Sequence, residues 1–525
     1  MVLKQVLRIA ALGTALAGLP AAAYADGMQL WRDGSTFKAE RTLHHAVELD
    51  PTLAIGHLEL ALMTFVRDGT DALDHAQSAY EHRANMSPRD RALLEASEPY
   101  LRAVSDPDGW AEKMRELTAQ FPRDTEFHFY LGLAREKQFD FEQAKDAFDR
   151  ALKIDPSFIP ALYSKAWVDK QLGNLDAAQS EYEACMRRSY VAAACYQGRF
   201  EMMRDEGECK RAEDDARAWA ALDQKSLAAH HAIAEALEAQ DAPRASVEAS
   251  LAAAWSLVDE PKARAEAERS DRISLALLGG DFASAERLAM AVERDVPADG
   301  DLLERAQAAL QIATIEFEMG RVAEAGRVAD AFRKKMSGWT PPPLGDNPSI
   351  VFVEYVYRAG LIGKPQLAEE RAKWLAAEEE REKRGSTKRR WRQAPFRWAV
   401  AYAGFAENEE EAKEALELLP QVLPMPPETR RTARFNFALG KVYVLAGKPA
   451  EAEPFLRRAT AACVDLTSPQ IHTRAHLYLG MALEDKKDWA GARAEYRKVL
   501  DRWGKATPRS VTADAARARL AKLPR

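Results

Sequence analysis

The chain has 525 residues, of which 30% are charged and 8% aromatic, and its formal net charge at pH 7 is −7. A chain of this length exceeds what one compact core supports, so the sequence predicts several domains or one extended array. The mildly acidic balance argues against a general nucleic-acid-binding protein, which needs a basic face. The absence of alternating β-branched runs argues against a sheet.

The N-terminus has the pattern of a secretory signal peptide. Lys4 and Arg8 precede an apolar stretch, and Ala23 and Ala25 place small residues at the positions that a signal peptidase reads. The sequence therefore predicts cleavage before Asp26 and a periplasmic or secreted protein. An uncleaved membrane anchor is disfavoured because the apolar stretch is short for a bilayer. A lipoprotein is also disfavoured, because no cysteine follows the cleavage point, and no later segment predicts an integral membrane helix.

A helix–turn–helix spacing recurs along the rest of the chain. In its clearest copy, Gly132 and Ala144 are small residues twelve positions apart, where two helices can approach closely. Phe148 and Ala151 continue the buried face at helical spacing, and Pro156 ends the unit. Further copies carry their paired small residues at Ala166 and Ala178, Gly440 and Ala452, and Gly480 and Ala492.

This spacing resembles that of the tetratricopeptide repeat, a helix–turn–helix unit of about 34 residues. The resemblance implies an all-α solenoid of about twelve such repeats that binds other proteins. A proline-rich stretch interrupts the pattern and is interpreted as a hinge, and a short C-terminal helix is interpreted as a cap. The predicted parts are a signal peptide (1–25), an N-terminal array (26–338), the hinge (339–349), and a C-terminal array with its cap (350–525).

The chain is also similar to the helical-repeat region that follows the kinase domain in many myxobacterial-type Ser/Thr protein kinases. Residues 473–480, 499–504 and 508–513 carry most of this similarity, with a further similar stretch at 206–219. The kinase has no counterpart here, because neither a glycine-rich phosphate loop nor a His-Arg-Asp loop occurs. The similarity therefore implies a fold and a sensing or docking role, without catalytic residues or a cofactor.

Four cysteines occur, and export would place them in an oxidising compartment. Cys185 and Cys195 lie at similar distances from the loop around Tyr190, so antiparallel helices would set them opposite each other. They are the candidate disulfide pair, and burial as two small core residues is the equal alternative. Cys209 is a poorer partner for Cys195, because it lies nearer the far end of the hairpin.

The first helices of stacked repeats line a concave face. In the two clearest repeats the predicted inward positions are Phe129, Leu133, Tyr163 and Trp167, an aromatic groove that suits an extended peptide or a helix. Packing between repeats is the equal alternative for each aromatic residue. The predicted function is a scaffold that binds a protein or peptide partner in complex assembly or signalling. The alternative is a ligand-sensing regulatory subunit that changes shape at the hinge.

Other candidate sites are weaker, and no Ser-His-Asp or Cys-His order supports an enzyme. His472 and His476 stand four apart on one helix, but no third ligand is evident, so the sequence predicts no metal site. Basic residues of segment 381–398, beside Trp391 and Trp398, could hold an anionic partner. Glutamates at pairing distance instead favour a solvated, self-paired helix end.

Overall fold

In the computed structural model the described residues form helices joined by turns, and no β-strand occurs among them. The predicted signal segment before residue 18 and most of the predicted hinge (residues 337–346) lie outside the described residues, and both stay predictions. The described residues are 18–64, 69–102, 105–295, 302–336, 347–382, 387–427 and 429–524.

The chain divides into two compact units. The N-terminal unit contains the residues up to Arg199 together with Asp215–Ser226, and the C-terminal unit contains Phe200–Asp214 together with the residues from Leu227 onward. This division does not bear on the predicted hinge, which remains a prediction. Each unit is a stack of helix pairs joined by short turns.

The helices of the first half of the chain follow one another with few intervening residues. They are α1 Leu19–Arg32, α2 Thr36–Leu49, α3 Ala54–Thr64, α4 Gly69–Glu81, α5 Pro88–Ser97, α6 Pro107–Gln120, α7 Thr125–Lys137, α8 Phe141–Ile154, α9 Ile159–Leu172, α10 Leu175–Arg188, α11 Ala193–Glu206, α12 Cys209–Leu222, α13 Leu227–Glu238 and α14 Arg244–Ser256.

The helices of the second half include four of 17 to 19 residues, and three short 3-10 turns lie among them. They are α15 Pro261–Leu278, α16 Phe282–Asp295, α17 Leu302–Glu318, α18 Val322–Lys335, α19 Ser349–Arg358, α20 Lys364–Glu382, α21 Thr387–Ala401, α22 Glu409–Leu418, α23 Ala433–Leu445, α24 Pro449–Ala461, α25 Pro469–Asp485, α26 Trp489–Trp503 and α27 Val511–Leu520. The 3-10 turns are Ala403–Phe405, Leu419–Val422 and Thr429–Arg431. No helix within the described ranges is long and apolar enough to cross a membrane.

Glycine sets the distance between the two helices of a repeat. A Cβ atom built on Gly132 of α7 would stand 2.3 Å from the Phe148 ring of α8, closer than real Cβ atoms approach, so the prediction of a close approach here is confirmed. The equivalent pairs within a repeat are Gly27 with Leu43, Gly440 with Leu456, and Gly480 with Tyr496, at 2.5 to 2.8 Å, and of these the sequence alone does not predict Gly27. Gly198 of α11 makes a similarly close approach, at 2.5 Å, to Tyr182 of α10 in the preceding repeat.

Helix α1 spans the predicted cleavage point before Asp26. The residues of α1 before that point are mostly exposed, apart from Pro20, Ala23 and Tyr24, which are partly buried. Beyond it, Gly27 and Trp31 are buried. The first repeat is therefore packed mainly by residues that would remain after cleavage, and the cleavage itself stays a prediction.

The N-terminal unit brings its first repeat into contact with later ones. The ring of Trp31, at the end of α1, lies 5.2 Å from the ring of Phe158, which precedes α9. In the turn after α1, the Asp33 carbonyl accepts a hydrogen bond of 2.6 Å from the Ser189 hydroxyl, which follows α10. The α1–α2 pair therefore packs against residues more than 120 positions along the chain.

The C-terminal unit makes a comparable long-range closure between its last repeats and its earlier helices. The indole nitrogen of Trp503 donates a 2.8 Å hydrogen bond to the carbonyl oxygen of Leu277 in α15. At the end of α17, the buried carboxylate of Glu318 accepts hydrogen bonds from the hydroxyl groups of Ser510 (2.6 Å) and Thr512 (2.9 Å). The buried carboxylate is satisfied only because the start of α27 lies against the end of α17.

Candidate partner-binding surface

The four predicted groove residues divide into one core residue and three residues with accessible surface. Phe129 is only 5% exposed. Its ring lies 5.6 Å from Trp31, 5.4 Å from Phe158 and 5.8 Å from Phe148. Phe129 therefore packs in the core and does not line an open groove, because Trp31 of the first repeat covers it.

Leu133, Tyr163 and Trp167 are partly exposed, and we call them the aromatic strip. Trp167 packs perpendicular to the ring of Phe141 at 5.5 Å, and Tyr163 lies 6.2 Å from the ring of Tyr182. Trp167 thus packs against the second helix of the preceding repeat, and Tyr163 against the second helix of its own repeat. The strip lies on the first helices of two consecutive repeats, α7 and α9, which pack against each other.

The charged side chains beside the strip are paired within the unit. Lys165 of α9 reaches Asp149 at 2.7 Å and Glu181 at 3.0 Å. Burial raises the pKa of Glu181 to about 7, against the opposing effect of Lys165. The carboxylate of Asp169 is fully buried and accepts hydrogen bonds from Lys145 at 2.6 Å and from Asn174 at 2.8 Å. These charges stabilise the repeat, which leaves the apolar surface of the strip for recognition.

A cleft of about 490 Å³ opens beside the first repeat, between Tyr24 and the start of α7. The carboxylate of Glu126 is held there between two arginines, with 2.6 Å to Arg32 and 2.5 Å to Arg89. Arg89 also forms a bidentate pair with Asp124, at 2.7 and 3.0 Å. Arg32 and Arg89 are thus committed to carboxylates of the same unit, whereas Arg123, which also lines this cleft, is exposed.

A buried carboxyl behind this cleft makes the stability of the protein depend on pH. Glu59 is 1% exposed and accepts a 2.6 Å hydrogen bond from the hydroxyl of Tyr130. Burial, and then the charge of Glu126, raises the pKa of Glu59 to about 8 from 4.5. The folded protein therefore keeps a proton that the unfolded chain releases between these values. Its stability will fall as pH rises from about 4.5 to about 8.

Glu59→Gln keeps the side chain neutral and will remove this pH-dependent component. We compare the unfolding free energy of the variant with that of the parent at each pH. This difference will be more favourable to the variant at pH 8 than at pH 5 by at least ~2 kcal/mol, since each pKa unit corresponds to about 1.4 kcal/mol. Urea unfolding at pH 5, 6.5 and 8 measures this. Glu112→Gln, at an exposed position, is the control and will show no such difference. An equal effect of Glu59→Gln at all three pH values would refute the assignment.

The structure brings Cys185 and Cys195 together, with their Cα atoms 6.3 Å apart and their sulfur atoms bonded. It also bonds Cys209 to Cys463, with the Cα atoms 5.6 Å apart and 254 positions between them. The sequence alone predicts no partner for Cys463. No local signal could have found this pair, because its members lie in different repeats and meet only when the C-terminal unit closes.

The two histidines of α25 have structural partners. His472 pairs with the carboxylate of Asp465, and its Nε2 lies 3.1 Å from the Thr460 carbonyl oxygen. Burial alone would raise the pKa of Asp465, but hydrogen bonds from His472 and Arg502 lower it to about 2. His476 bonds Glu495 at 2.5 Å. In the described part of the chain, no group of three or more His, Cys, Asp or Glu side chains could hold a metal ion.

The basic segment 381–398 is only partly described, because the side chains of residues 382–390 lie outside the described residues. At its ends, Arg381 pairs with Glu378, and the indole nitrogen of Trp398 donates to the Ala415 carbonyl at 2.8 Å. Trp391 is 38% exposed and donates to the Pro424 carbonyl at 2.9 Å. Both tryptophans therefore hold the segment against neighbouring parts of the unit. None of these contacts supports anion binding by the segment.

Comparison with known proteins locates recognisable repeats in three segments. Family models described as "Tetratricopeptide repeat" match residues 125–158, 159–190 and 474–506. The first two segments contain the whole aromatic strip. No curated protein matches the sequence.

Several solved structures match the chain at low sequence identity. The structure "Naa15/Naa10 bound to HypK-THB" matches at 13% identity over 99% of this chain and 92% of that chain, with a TM-score of 0.24. The human "IFIT1 dimer with PPP-AAAA" matches at 14% identity over 80% of this chain and 85% of that chain, with a TM-score of 0.34. The "P58(IPK) TPR Domain" matches at 13% identity over 96% of each chain, with a TM-score of 0.19. TM-scores this low carry no argument about the fold, the ligands or the partners of this chain. The chain is an all-α solenoid that contains tetratricopeptide repeats.

Proposed function

We propose that the protein is an exported scaffold that binds a protein or peptide partner through the aromatic strip of Leu133, Tyr163 and Trp167. Tetratricopeptide repeats suggest a protein-interaction scaffold in general. One observation carries the specific proposal: these partly exposed apolar side chains lie on adjacent helices, within consecutive segments that match the repeat. Complex assembly or signalling is the process that such a scaffold serves.

The chemistry of the strip defines the partner. Its neighbouring charges are paired internally, so the strip offers apolar and aromatic surface with rigid support. A peptide or helix with spaced apolar side chains suits such a surface. Because the repeat core holds Tyr163 and Trp167 in place, little side-chain ordering opposes binding.

Export is part of the proposal and has two supports. The N-terminal sequence has the pattern of a cleavable signal, and all four cysteines stand in bonded pairs. Disulfides persist in oxidising compartments such as the periplasm. The alternative of a ligand-sensing subunit that bends at residues 339–349 gains no support, because most of that segment lies outside the described residues.

Site-specific photo-crosslinking at Leu133 tests the proposal in cells. A photoreactive phenylalanine analogue at this position will form light-dependent adducts with one dominant partner, and Trp167→Ala will reduce them at least fivefold. The reduction follows because the indole supplies a large part of the apolar contact area. Denaturing gels and mass spectrometry of the adducts measure the effect.

Tyr190→Ala is the matched control, since Tyr190 is 90% exposed in the same unit but lies outside the strip. It will leave the adducts unchanged, and circular dichroism will verify that both variants fold. Adducts that persist at full yield in Trp167→Ala, or that form equally with the analogue placed at position 190, would count against the strip.

A further inference from the structure

A second cleft, of about 730 Å³, lies in the N-terminal unit between α6, α7 and α8. Four basic residues form its rim, and no aspartate or glutamate is among the residues that line it. This composition is unusual in a chain whose net charge is −7. We call this feature the basic cleft; its rim consists of Arg115, Arg123, Arg150 and Lys153.

Three of the rim cations are available to a ligand. Arg115 is paired with Glu112 of its own helix at 2.6 Å. Arg123, Arg150 and Lys153 are exposed, and no ion pair joins them to other residues in the described ranges. The acidic residues next to Arg123 and Arg150 in the sequence are engaged elsewhere. Asp124 binds Arg89, and Asp149 binds Lys165.

The floor of the basic cleft is apolar and contains one unsatisfied polar atom. Leu131 of α7 is buried, and Ile154 at the end of α8 is 38% exposed. Between them, His128 is 6% exposed, and its Nε2 lies 3.1 Å from the Pro122 carbonyl oxygen. The other ring nitrogen, Nδ1, is buried without a hydrogen-bond partner in the described structure. A buried polar atom without a partner is rare, and Nδ1 could form its hydrogen bond with a ligand that enters the cleft.

The basic cleft is separate from the aromatic strip. On α7, Leu131 belongs to the cleft and Leu133 to the strip, and two residues of helix correspond to roughly 200° of rotation about the axis. The two surfaces therefore lie on different sides of α7. A ligand in the basic cleft does not compete with a partner on the strip by direct contact.

We propose that the basic cleft is a second recognition site, which takes an acidic peptide segment of a partner protein. Carboxylates of the peptide would pair with Arg123, Arg150 and Lys153, and an apolar side chain would rest on Leu131 and Ile154. The volume of the basic cleft exceeds that of a simple inorganic anion. Such an anion would also leave the apolar floor of the cleft uncovered. Charge complementarity and the apolar floor together favour a peptide in which glutamates flank a leucine.

Fluorescence anisotropy on the full chain tests this with a fluorescein-labelled heptapeptide of alternating glutamate and leucine. At 50 mM NaCl, Arg150→Gln combined with Lys153→Gln will weaken binding at least tenfold. The control combines Arg187→Gln with Lys225→Gln, which removes two exposed positive charges elsewhere in the same unit and will leave binding unchanged within twofold. Equal weakening by both pairs would overturn the proposal, because the interaction would then be unspecific attraction.

The peptide chemistry is tested with two further probes. A heptapeptide with glutamine in place of glutamate will lose binding, and one with serine in place of leucine will bind at least fivefold more weakly. An unchanged affinity of either peptide would refute the proposed mode of binding. If vesicles of anionic lipid bind with the same dependence on Arg150 and Lys153 while the acidic peptide does not, the site is a membrane-binding surface and the proposal is wrong.

Discussion

Replacing Gly132 with valine will lower the free energy of unfolding of the N-terminal unit by about 3 kcal/mol, the upper end of the range for an overpacked core. The Cβ alone would stand 2.3 to 2.8 Å from three atoms of the Phe148 ring, which is fully buried and cannot move aside. The helix pair must therefore separate, and buried contacts of α7 and α8 are lost with it. Urea unfolding followed by circular dichroism measures the change.

Two comparisons identify the cause of that loss. Gly279→Val is the control, because only backbone oxygens lie within 4 Å of its added Cβ and its φ of −78° suits any residue. It will change stability by less than ~1 kcal/mol. In the Gly132→Val background, Phe148→Leu will restore more than ~1 kcal/mol, since the two side chains compete for the same space. Purely additive effects of the two substitutions would contradict the proposed contact.

Removing the Cys209–Cys463 disulfide will destabilise the oxidised protein by about 5 kcal/mol if the loss is governed by chain entropy. This bond closes a loop across 254 positions, whereas the bond between Cys185 and Cys195 spans only 10. The same relation gives about 3 kcal/mol for the short loop. Thermal unfolding measures both losses. Cys209→Ala/Cys463→Ala will therefore lower the stability more than Cys185→Ala/Cys195→Ala does.

Reductant provides the control for both cysteine variants. With dithiothreitol present, the parent chain and the two variants will unfold within a few degrees of one another, because the substitutions then remove no cross-link. A larger loss for Cys185→Ala/Cys195→Ala under oxidising conditions would contradict the entropic ranking. Persistent differences in reductant would show that packing of the cysteine side chains, three of which are fully buried, contributes more than the cross-link.

The local architecture could be predicted from sequence because its causes are local. Gly132 and Phe148 lie on neighbouring helices of one repeat, and their contact needs only helical spacing and one turn. The same logic placed Cys185 opposite Cys195 across a short loop. Such features depend on residues fewer than about 35 positions apart, which is the length of one repeat.

The closure of each unit could not be predicted in this way. Whether Trp31 reaches Phe129 depends on small rotations accumulated over several intervening repeats, and no single residue encodes their sum. For this reason the sequence left groove lining and packing between repeats equally open for Phe129, and the pair of Cys209 and Cys463 was missed for the same reason. The basic cleft also escaped notice, because its cations are scattered over α6, α8 and the turn between α6 and α7.

The closure of the C-terminal unit bears on how the protein is made. In an open repeat array, folding can begin anywhere and spread between neighbours. Here Trp503 contacts Leu277, 226 positions earlier, and Thr512 contacts Glu318, 194 positions earlier. Contacts of such sequence separation slow folding, because a long segment must be ordered before they form. The ribosome must release the residues up to Thr512 before Glu318 finds its partners, so this closure forms long after the residues of α17 have been synthesised.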